Sequence, residues 1–343
     1  MNPGAVLIRA DASLAIGTGH VMRSLAVAEA WQDAGGVASF AVAELPEGLL
    51  PRVSAEGASL RRVHAAPGSV EDARETVAEA HRLSADWVMI DGDRFRSDYL
   101  ATVRAAGFRV LLIDDFADRE SFPADLIVNP NLDDDEEPYR RRGATARLLL
   151  GPSYVLLRRE FRQTAEKKEI RQTGNRILVS LGGSDPENLT PKIADSLAHR
   201  SDLDLTVIAG AGYDQLAQLR KLKASNLRIV FNPRNIAQFM KNSDQAIIAA
   251  GGTLWELLFM GCAVLSYSRN TVQARVVQDL SHRGVVVDMG ETRHFDPAKL
   301  AVSVKELVDS PVRRDRMTNL GRTLVDGLGA IRVVERAQRS EVQ

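Results

Sequence analysis

The sequence predicts an α/β protein with two domains, each built on a doubly wound parallel sheet. Short, continuous apolar runs alternate with amphipathic helical segments, which is typical of parallel strands covered by helices on both faces. The alternation stops near Gly151 and restarts at Arg176, beyond a polar, lysine-rich stretch. The 343 residues are too many for one ordinary core. We therefore expect an N-terminal domain over residues 1–155 and a C-terminal domain over residues 156–343, whose last helix can pack back on the first domain.

Apolar runs predict the strands of the N-terminal domain, with helices between them. We expect strands at 6–8, 37–42, 60–63, 87–91, 109–115 and 125–129, and helices from His20, over 70–83 and over 99–106. In a doubly wound sheet, ligands bind beyond the carboxyl ends of the strands. One face should therefore collect the polar residues of 11–20 and 91–94, together with Asp114 and Asp115.

The first strand leads through Gly17-Thr18-Gly19 into a helix whose first turn holds His20. The free N–H groups and partial positive charge of a helix N-terminus favour an anion and disfavour protonation of a nearby imidazole. Arg23, one turn further on, would act in the same direction. We therefore interpret His20 as a general base. The alternative is a histidine that only caps the helix.

The C-terminal domain repeats the alternation. Strands are expected at 177–181, 203–209, 227–231 and 245–249, and helices follow over 186–197, from Ile236 and over 297–338. Asp185 is a suitable N-cap and Pro186 a suitable first helical residue for the first of these helices. Residues 246–267 are apolar enough to suggest a membrane span, but they contain two glycines and Glu256, which favour a strand, a glycine loop, a helix and a strand.

Two glycine loops in this domain join a strand to a helix N-terminus: Gly182-Gly183-Ser184 and Gly251-Gly252-Thr253. Such loops suit a pyrophosphate. Neither matches the P-loop or the dinucleotide fingerprint, which disfavours nucleoside triphosphate hydrolysis and hydride transfer. Glu256 stands three residues after Thr253, so it either completes a capping box or binds ribose hydroxyls, and both readings stay open.

Composition narrows the classes of function. The formal net charge of −1 argues against nucleic acid and anionic lipid as partners. The single cysteine excludes an intrachain disulfide, and no Cys/His spacing suggests zinc. No secretion signal is recognisable, so we expect a cytoplasmic protein without membrane insertion. The acidic run 133–137 is interpreted as a solvated loop; the oligomeric state is not predicted.

Taken together, these stretches resemble the UDP-sugar hydrolases of the pseudaminic acid pathway. That family shares the two-domain GT-B architecture, two Rossmann-like domains facing a cleft, with the peptidoglycan glycosyltransferase that adds N-acetylglucosamine. The residues that carry the resemblance are 9–13, 16–23, 113–115, Asn129, Asn131, 151–158, 182–185, 235–237, Met240, Glu256 and Gln273.

The resemblance implies hydrolysis of a UDP-linked amino sugar by water attack at the anomeric carbon, within nonulosonic or pseudaminic acid biosynthesis and flagellin glycosylation. His20 would activate the water, Ile236 would lie against the uracil and Glu256 on the ribose, and neither a metal nor another cofactor would be needed. The residues expected to contact substrate are Asp11, Gly17, Gly19, Arg23 and Asp91 in the first domain, and Gly183, Ser184, Ile236, Gly252, Thr253, Glu256 and Gln273 in the second.

The sequence departs from the family pattern after Asp91, where Gly92-Asp93-Arg94 replaces the usual His-Tyr. These residues should border the sugar, so its identity is not predicted. Two other functions fit the same architecture: a glycosyltransferase in which His20 deprotonates an acceptor hydroxyl, and a nucleotide-sugar binding protein without catalysis.

Overall fold

The computed structural model describes residues 2–13, 15–131, 135–165 and 169–339, which divide into two compact units. Unit 1 comprises Met1–Ser13, His20–Arg159 and Gly327–Gln343. Unit 2 comprises Leu14–Gly19 and Glu160–Asp326. Each unit is a parallel sheet with helices around it, as the sequence predicted.

Unit 1 contains a seven-stranded sheet. Its elements are β1 (Ala5–Ala10), α1 (Gly19–Asp33), β2 (Val37–Val42), α2 (Leu50–Ala55), β3 (Ser59–Arg62), α3 (Val70–Leu83), β4 (Trp87–Asp91), α4 (Ser97–Ala105), β5 (Arg109–Ile113), β6 (Leu126–Asn129), α5 (Glu137–Arg140) and β7 (Arg147–Leu150). The strand order is β3-β2-β1-β4-β5-β6-β7, and every pairing is parallel. The order reverses between β1 and β4, which makes their carboxyl ends the switch point at which such sheets bind ligands.

Unit 2 contains a six-stranded sheet. Its elements are α6 (Arg159–Thr164), β8 (Arg176–Ser180), α7 (Thr190–Ala198), β9 (Asp204–Ala209), α8 (Leu216–Leu219), β10 (Leu227–Phe231), α9 (Ile236–Asn242), β11 (Gln245–Ala249), α10 (Gly252–Met260), β12 (Ala263–Ser268), α11 (Thr271–His282), β13 (Val286–Glu291), α12 (Pro297–Asp309) and α13 (Pro311–Leu324). The strand order is β10-β9-β8-β11-β12-β13, again with all pairings parallel. The switch point here lies between β8 and β11. The last helix, α14 (Gly329–Arg339), belongs to unit 1.

The central strands form because their sequences are continuously apolar. All five residues of β4 and all five of β11 are buried, as expected for strands covered on both faces. At the edge, β3 is short and mostly exposed. The one cysteine, Cys262, is fully buried just before β12, and its Sγ lies 2.9 Å from the Met240 carbonyl oxygen.

These elements settle two expectations and bear on a third. The apolar stretch 246–267 folds as β11, α10 and β12, and no helix in the described ranges is long and apolar enough to cross a membrane. The expected helix start at Pro186 is wrong, because α7 begins at Thr190. Asp185 instead has a left-handed φ of 45°, and its carboxylate accepts the N–H groups of Leu189 and Thr190 across the turn. Of the acidic run, residues 133 and 134 lie outside the described residues, and Glu137 begins α5.

Candidate functional site

His20 is held by a carboxylate at the switch point of unit 1. It lies in the first turn of α1, which begins at Gly19. Its Nδ1 is 2.7 Å from Oδ1 of Asp91, the last residue of β4. The two residues meet because β1 and β4 are neighbouring parallel strands with Ala10 paired to Asp91. Asp91 is fully buried, whereas His20 retains 17% side-chain exposure. Within the described ranges, the Nε2 atom of His20 makes no hydrogen bond.

Arg23 joins this pair to a second carboxylate. Its Nε and Nη2 donate to Asp91 at 2.8 and 2.7 Å, and its Nη1 and Nη2 donate to Asp115 at 2.7 and 2.8 Å. Ser24 Oγ also donates to Asp91, at 3.0 Å, and Asn131 Nδ2 donates to Asp115, at 3.0 Å. The guanidinium is therefore neutralised on both sides. This arrangement fixes Asp91, and through it the orientation of the imidazole ring.

The direction of the His20 pKa shift differs from the expectation. Burial lowers the pKa of His20, and Arg23 lowers it too, as the sequence suggested, but the carboxylates of Asp91 and Asp115 outweigh them and the pKa is raised above its usual value. Burial opposes ionisation of Asp91 in turn, yet Arg23 and His20 hold the pKa of Asp91 far below its usual range. The prediction that the helix end and Arg23 set the direction of the His20 pKa shift is therefore wrong. Asp91 is the main group that raises this pKa.

Asp11 lies at the carboxyl end of β1 but belongs to a different group of side chains. Its Oδ1 accepts from Arg9 Nη1 at 2.7 Å and from the backbone N–H groups of Ala43 and Glu44 at 2.8 and 3.0 Å. Arg9, fully buried, also forms a bidentate pair with Asp72 at 2.9 Å. Asp11 Oδ2 is buried and accepts no hydrogen bond from the described residues. The hydrogen bonds of Asp11 thus tie β1 to the segment after β2 and do not reach His20.

A buried ion pair that the sequence did not reveal supports the loop after β4. Arg119 pairs with Asp114, and its Nη2 donates to the carbonyl oxygen of Gly92 at 3.1 Å. Asp114 also accepts from Tyr139 OH at 2.9 Å. Burial raises the pKa of Asp114, against the opposing effect of Arg119. The available signal was an arginine shortly after two aspartates at a strand end, which does not by itself indicate a partner.

The two glycine loops of unit 2 follow β8 and β11, the neighbouring strands at its switch point. Gly252 is the first residue of α10, and a Cβ built at Gly251 or Gly252 would meet no atom within 4 Å. The backbone at the start of α10 is therefore open on the side that a side chain at residue 251 or 252 would occupy. Thr253 lies inside this helix and Gly251 is its N-cap, so the capping-box reading of Thr253 with Glu256 is wrong. The ribose reading of Glu256 stays a prediction.

The segment Leu14–Gly19 groups with unit 2, so it brings Gly17 and Thr18 next to the first glycine loop. A Cβ at Gly183 would lie 2.3 Å from Thr18 Oγ1, and a Cβ at Gly17 would lie 3.9 Å from Ser184 Oγ. Gly183 therefore cannot carry a side chain unless Thr18 moves. Gly19 has open space around it.

Arg269 is a candidate that sequence reasoning missed. It follows β12, and its Nη2 donates to the Leu181 carbonyl oxygen at 2.6 Å and lies 3.7 Å from Asp185 Oδ1. Its Nε is buried without a hydrogen-bond partner among the described residues. Burial lowers the pKa of Arg269, and Asp185 only partly compensates. A guanidinium with this much unused donor capacity beside a glycine loop is suited to a phosphate. The sequence signal that could have indicated Arg269 as a site residue is its position directly after a strand.

The remaining predicted contacts are in unit 2. Ile236 is the first residue of α9 and is half-buried. Gln273 lies in the first turn of α11, where its backbone N–H donates to Asn270 Oδ1 and its Oε1 accepts the N–H of Arg269, both at 2.9 Å. Gln273 therefore orders the backbone at Arg269.

Comparison with known proteins finds relatives in sequence, whereas no family model matches the chain. The chain is 25% identical to an uncharacterised protein of Methanocaldococcus jannaschii over 80% of its own length, and 27% identical to the spore coat polysaccharide biosynthesis protein SpsG of Bacillus subtilis over 61%. These matches span 57% and 63% of the two relatives, less than two thirds of either. It is also 27% identical to the UDP-2,4-diacetamido-2,4,6-trideoxy-beta-L-altropyranose hydrolase of Campylobacter jejuni, over 74% of the chain and 88% of that protein. The chain is thus similar in sequence to SpsG and to this hydrolase.

The chain also has the predicted GT-B fold. MurG of Acinetobacter baumannii matches with a TM-score of 0.64 at 18% identity, covering 98% of this chain and 99% of MurG. The UDP complex of MnaA from Staphylococcus aureus matches with a TM-score of 0.71 at 12% identity, covering 98% and 97% of the two chains. At these identities the likeness concerns the fold alone. The chain thus combines a histidine–aspartate pair at the switch point of unit 1 with two glycine loops at the switch point of unit 2.

Proposed function

We propose that this chain hydrolyses a UDP-linked amino-deoxy sugar and releases UDP, with His20 as the general base. One observation carries the proposal: Nδ1 of His20 is 2.7 Å from the buried Asp91 carboxylate, while Nε2 makes no hydrogen bond to a described residue. The carboxylate favours the tautomer with the proton on Nδ1, which leaves the Nε2 lone pair available to accept a proton. The Campylobacter relative is named as a UDP-sugar hydrolase, which supports the reaction class.

In the proposed reaction a water oxygen bonds to the anomeric carbon while the bond from that carbon to the diphosphate oxygen breaks. Nε2 of His20 takes a proton from the water, and UDP leaves with the bonding electron pair. A positioned base of this kind contributes a factor of about 10²–10⁴ to the rate. Because only the neutral imidazole accepts the proton, turnover should rise with pH through the raised pKa of His20.

Unit 2 would bind the nucleotide. Backbone N–H groups at Gly183 and Gly252, with the hydroxyls of Ser184 and Thr253, would donate to the phosphates. Arg269 would add a charged donor beside the loop after β8. Ile236 would contact the uracil and Glu256 the ribose. In this proposal the helix end and Arg269 offset the charge that develops on the departing diphosphate, so no metal takes part.

The reaction belongs to glycan biosynthesis in our proposal, as the name of SpsG suggests. The reaction yields UDP and the free amino sugar, and nonulosonic acids of the pseudaminic type are the expected end products of the pathway. A transferase would differ in one respect, because His20 would then deprotonate an acceptor hydroxyl instead of water. A binding protein would not turn over the nucleotide sugar at all.

The test is UDP release from UDP-linked amino sugars without an acceptor, with and without EDTA. We expect release that EDTA does not lower, and a loss of about 10²-fold or more in His20→Asn with little change in UDP affinity. His64→Asn is the matched control, because His64 is exposed in the same unit. Release that requires an added acceptor would establish a transferase, and full activity of His20→Asn would remove the base assignment.

A further inference from the structure

Arg23 is held between two carboxylates beside His20. Its Nε and Nη2 donate to Asp91 at the end of β4, and its Nη1 and Nη2 donate to Asp115 shortly after β5, with all four distances between 2.7 and 2.8 Å. Both pairs are bidentate, which fixes the plane of the guanidinium. Nη2 of Arg23 also lies 3.2 Å from Nδ1 of His20. The pairing of Arg23 therefore acts directly on the imidazole.

Asp115 is fixed in turn by the next strand of the sheet. Its Oδ1 accepts from Asn131 Nδ2 at 3.0 Å, and the backbone N–H of Asn131 donates to Oδ1 of Asn129, the last residue of β6, at 2.9 Å. Asn129 is fully buried, and its Nδ2 donates to Tyr139 OH at 2.8 Å. The position of Asp115 is thus set by hydrogen bonds within unit 1.

The formal charges of Asp91, Asp115 and Arg23 do not cancel. Arg23 balances one of the two carboxylates, so the three side chains together carry one negative charge. Asp91 is fully buried and the other two side chains are 17% and 20% exposed, so water screens these charges weakly. A protonated His20 makes the group neutral, whereas a neutral His20 leaves one negative charge uncompensated. The second carboxylate therefore favours the imidazolium.

The charged groups that face His20 come from three parts of unit 1. Burial lowers the pKa of His20, Asp91 of β4 and Asp115 after β5 raise it, and Arg23 of α1 lowers it. The loop after β4 also brings Asp93 near His20, but its side chain is exposed and solvent screens its charge. These directions agree with the charge count.

We propose that Asp115 is a positioning residue for the reaction: paired with Arg23, it supplies the negative charge that stabilises the imidazolium formed when His20 accepts a proton from the attacking water. This inference rests on the proposed function. In that step the proton moves from the water to Nε2, the ring changes from neutral to positive, and the water oxygen bonds to the anomeric carbon. Asp91 orients the ring and Arg23 cancels one carboxylate. Asp115 leaves the group with the charge that the imidazolium requires.

The experiment measures the pKa of His20 by NMR in protein with labelled histidines, where the His20 signal is the one missing from His20→Asn. Asp115→Asn should lower this pKa by about one pH unit, and Arg23→Gln should raise it by about one. The double variant has the formal charge of the wild type, so its pKa should return to within about half a unit of the wild-type value. Asp118→Asn is the matched control, because Asp118 is exposed between β5 and β6 and its loss should leave the pKa unchanged.

UDP release across the same pH range gives a second measurement. In Asp115→Asn the rising limb of the pH–rate profile should move to lower pH. The rate on the high-pH plateau should fall by about three-fold, because a weaker base removes the proton less readily. KM should change little. A role of Asp115 in stability alone would lower the free energy of unfolding without moving the limb.

The outcomes separate this inference from the proposed function. An unchanged His20 pKa in Asp115→Asn, or a double variant that keeps the pKa of either single variant, overturns the inference and leaves hydrolysis intact. If Asp115→Asn does not fold, the pKa difference between Arg23→Gln and the double variant measures the same charge, and equal values overturn the inference. If the wild-type protein releases no UDP, hydrolysis fails, while the NMR titrations still support or overturn the stabilisation of the imidazolium by Asp115.

Discussion

Replacing Asp91 by asparagine should uncouple the imidazole from the carboxylate that orients it while preserving side-chain shape. Asp91 accepts hydrogen bonds from His20 Nδ1, Arg23 Nε, Arg23 Nη2 and Ser24 Oγ, all between 2.7 and 3.0 Å. An asparagine amide can place an N–H against Nδ1 of His20, which would move the ring proton to Nε2. The base would then lack its acceptor lone pair. Because the base itself is worth about 10²–10⁴, we expect kcat to fall by at least about 10²-fold.

The same substitution should shift the pH profile and the stability. Burial and Arg23 both lower the pKa of His20, and Asp91 is the main group that raises it. Without Asp91, the rising limb of the pH–rate profile should move to lower pH. The free energy of unfolding should fall by about 3 kcal/mol, at the low end for a broken buried ion pair, because Arg23 keeps Asp115. The contribution of Asp91 to stability is present above the ordinary aspartate pKa and is lost as pH falls, so the difference from wild type should shrink in acid.

The assay is the initial rate of UDP release across the pH range in which imidazole titrates, combined with urea unfolding of the same samples. Ser24→Ala is the control, since it removes one hydrogen bond to Asp91 at 3.0 Å without touching His20. It should cost about 1 kcal/mol of stability and leave the pH limb in place. An Asp91→Asn protein with turnover within about three-fold of wild type and an unshifted limb would refute the orientation argument.

Two further predictions concern unit 2. Arg269→Gln should weaken UDP binding by about 10- to 100-fold in calorimetry, because it removes a charged donor whose buried Nε has no partner among the described residues. Loss of the Nη2 hydrogen bond to Leu181 should lower the free energy of unfolding by about 1 kcal/mol. Arg275→Gln, on the exposed side of α11, is the control, and wild-type UDP affinity with lost stability would make Arg269 structural. Glu256→Gln should weaken the binding of UDP by about ten-fold but hardly change the binding of 2′,3′-dideoxy-UDP, since only UDP offers ribose hydroxyls. Equal losses of affinity for both nucleotides would contradict the ribose contact.

The elements that sequence predicted well are those with local signals. The continuous apolar run that ends at a charged residue predicted β4 with the bounds that the structure shows, Trp87–Asp91. Gly17-Thr18-Gly19 likewise placed His20 in the first turn of α1. A local signal misled at Asp185, where cap propensity predicted a helix start. The left-handed backbone at Asp185 instead turns the chain before α7.

The direction of the His20 pKa shift could not be predicted because the main group that raises this pKa is remote in sequence. Asp91 lies 71 residues from His20, and the two meet only because β1 and β4 are neighbours in the sheet. Periodicity places both residues at one edge but does not give strand order. The same limit applies to Arg269, whose partner carbonyl at Leu181 is 88 residues away. Contacts between residues so remote in sequence depend on the order of the strands in the sheet, so they cannot be predicted before the fold is known.

The buried thiol of Cys262 has a practical consequence for measuring motion in this protein. Because it is the only cysteine of the chain and is fully enclosed, thiol-reactive labels should leave the native protein unmodified. Cysteines introduced at Val70 on unit 1 and Val312 on unit 2, which are 53% and 80% exposed, would then be the only labelled sites. A pair of spin labels at these positions would report the distance between the units with and without UDP, on a chain that needs no cysteine removed.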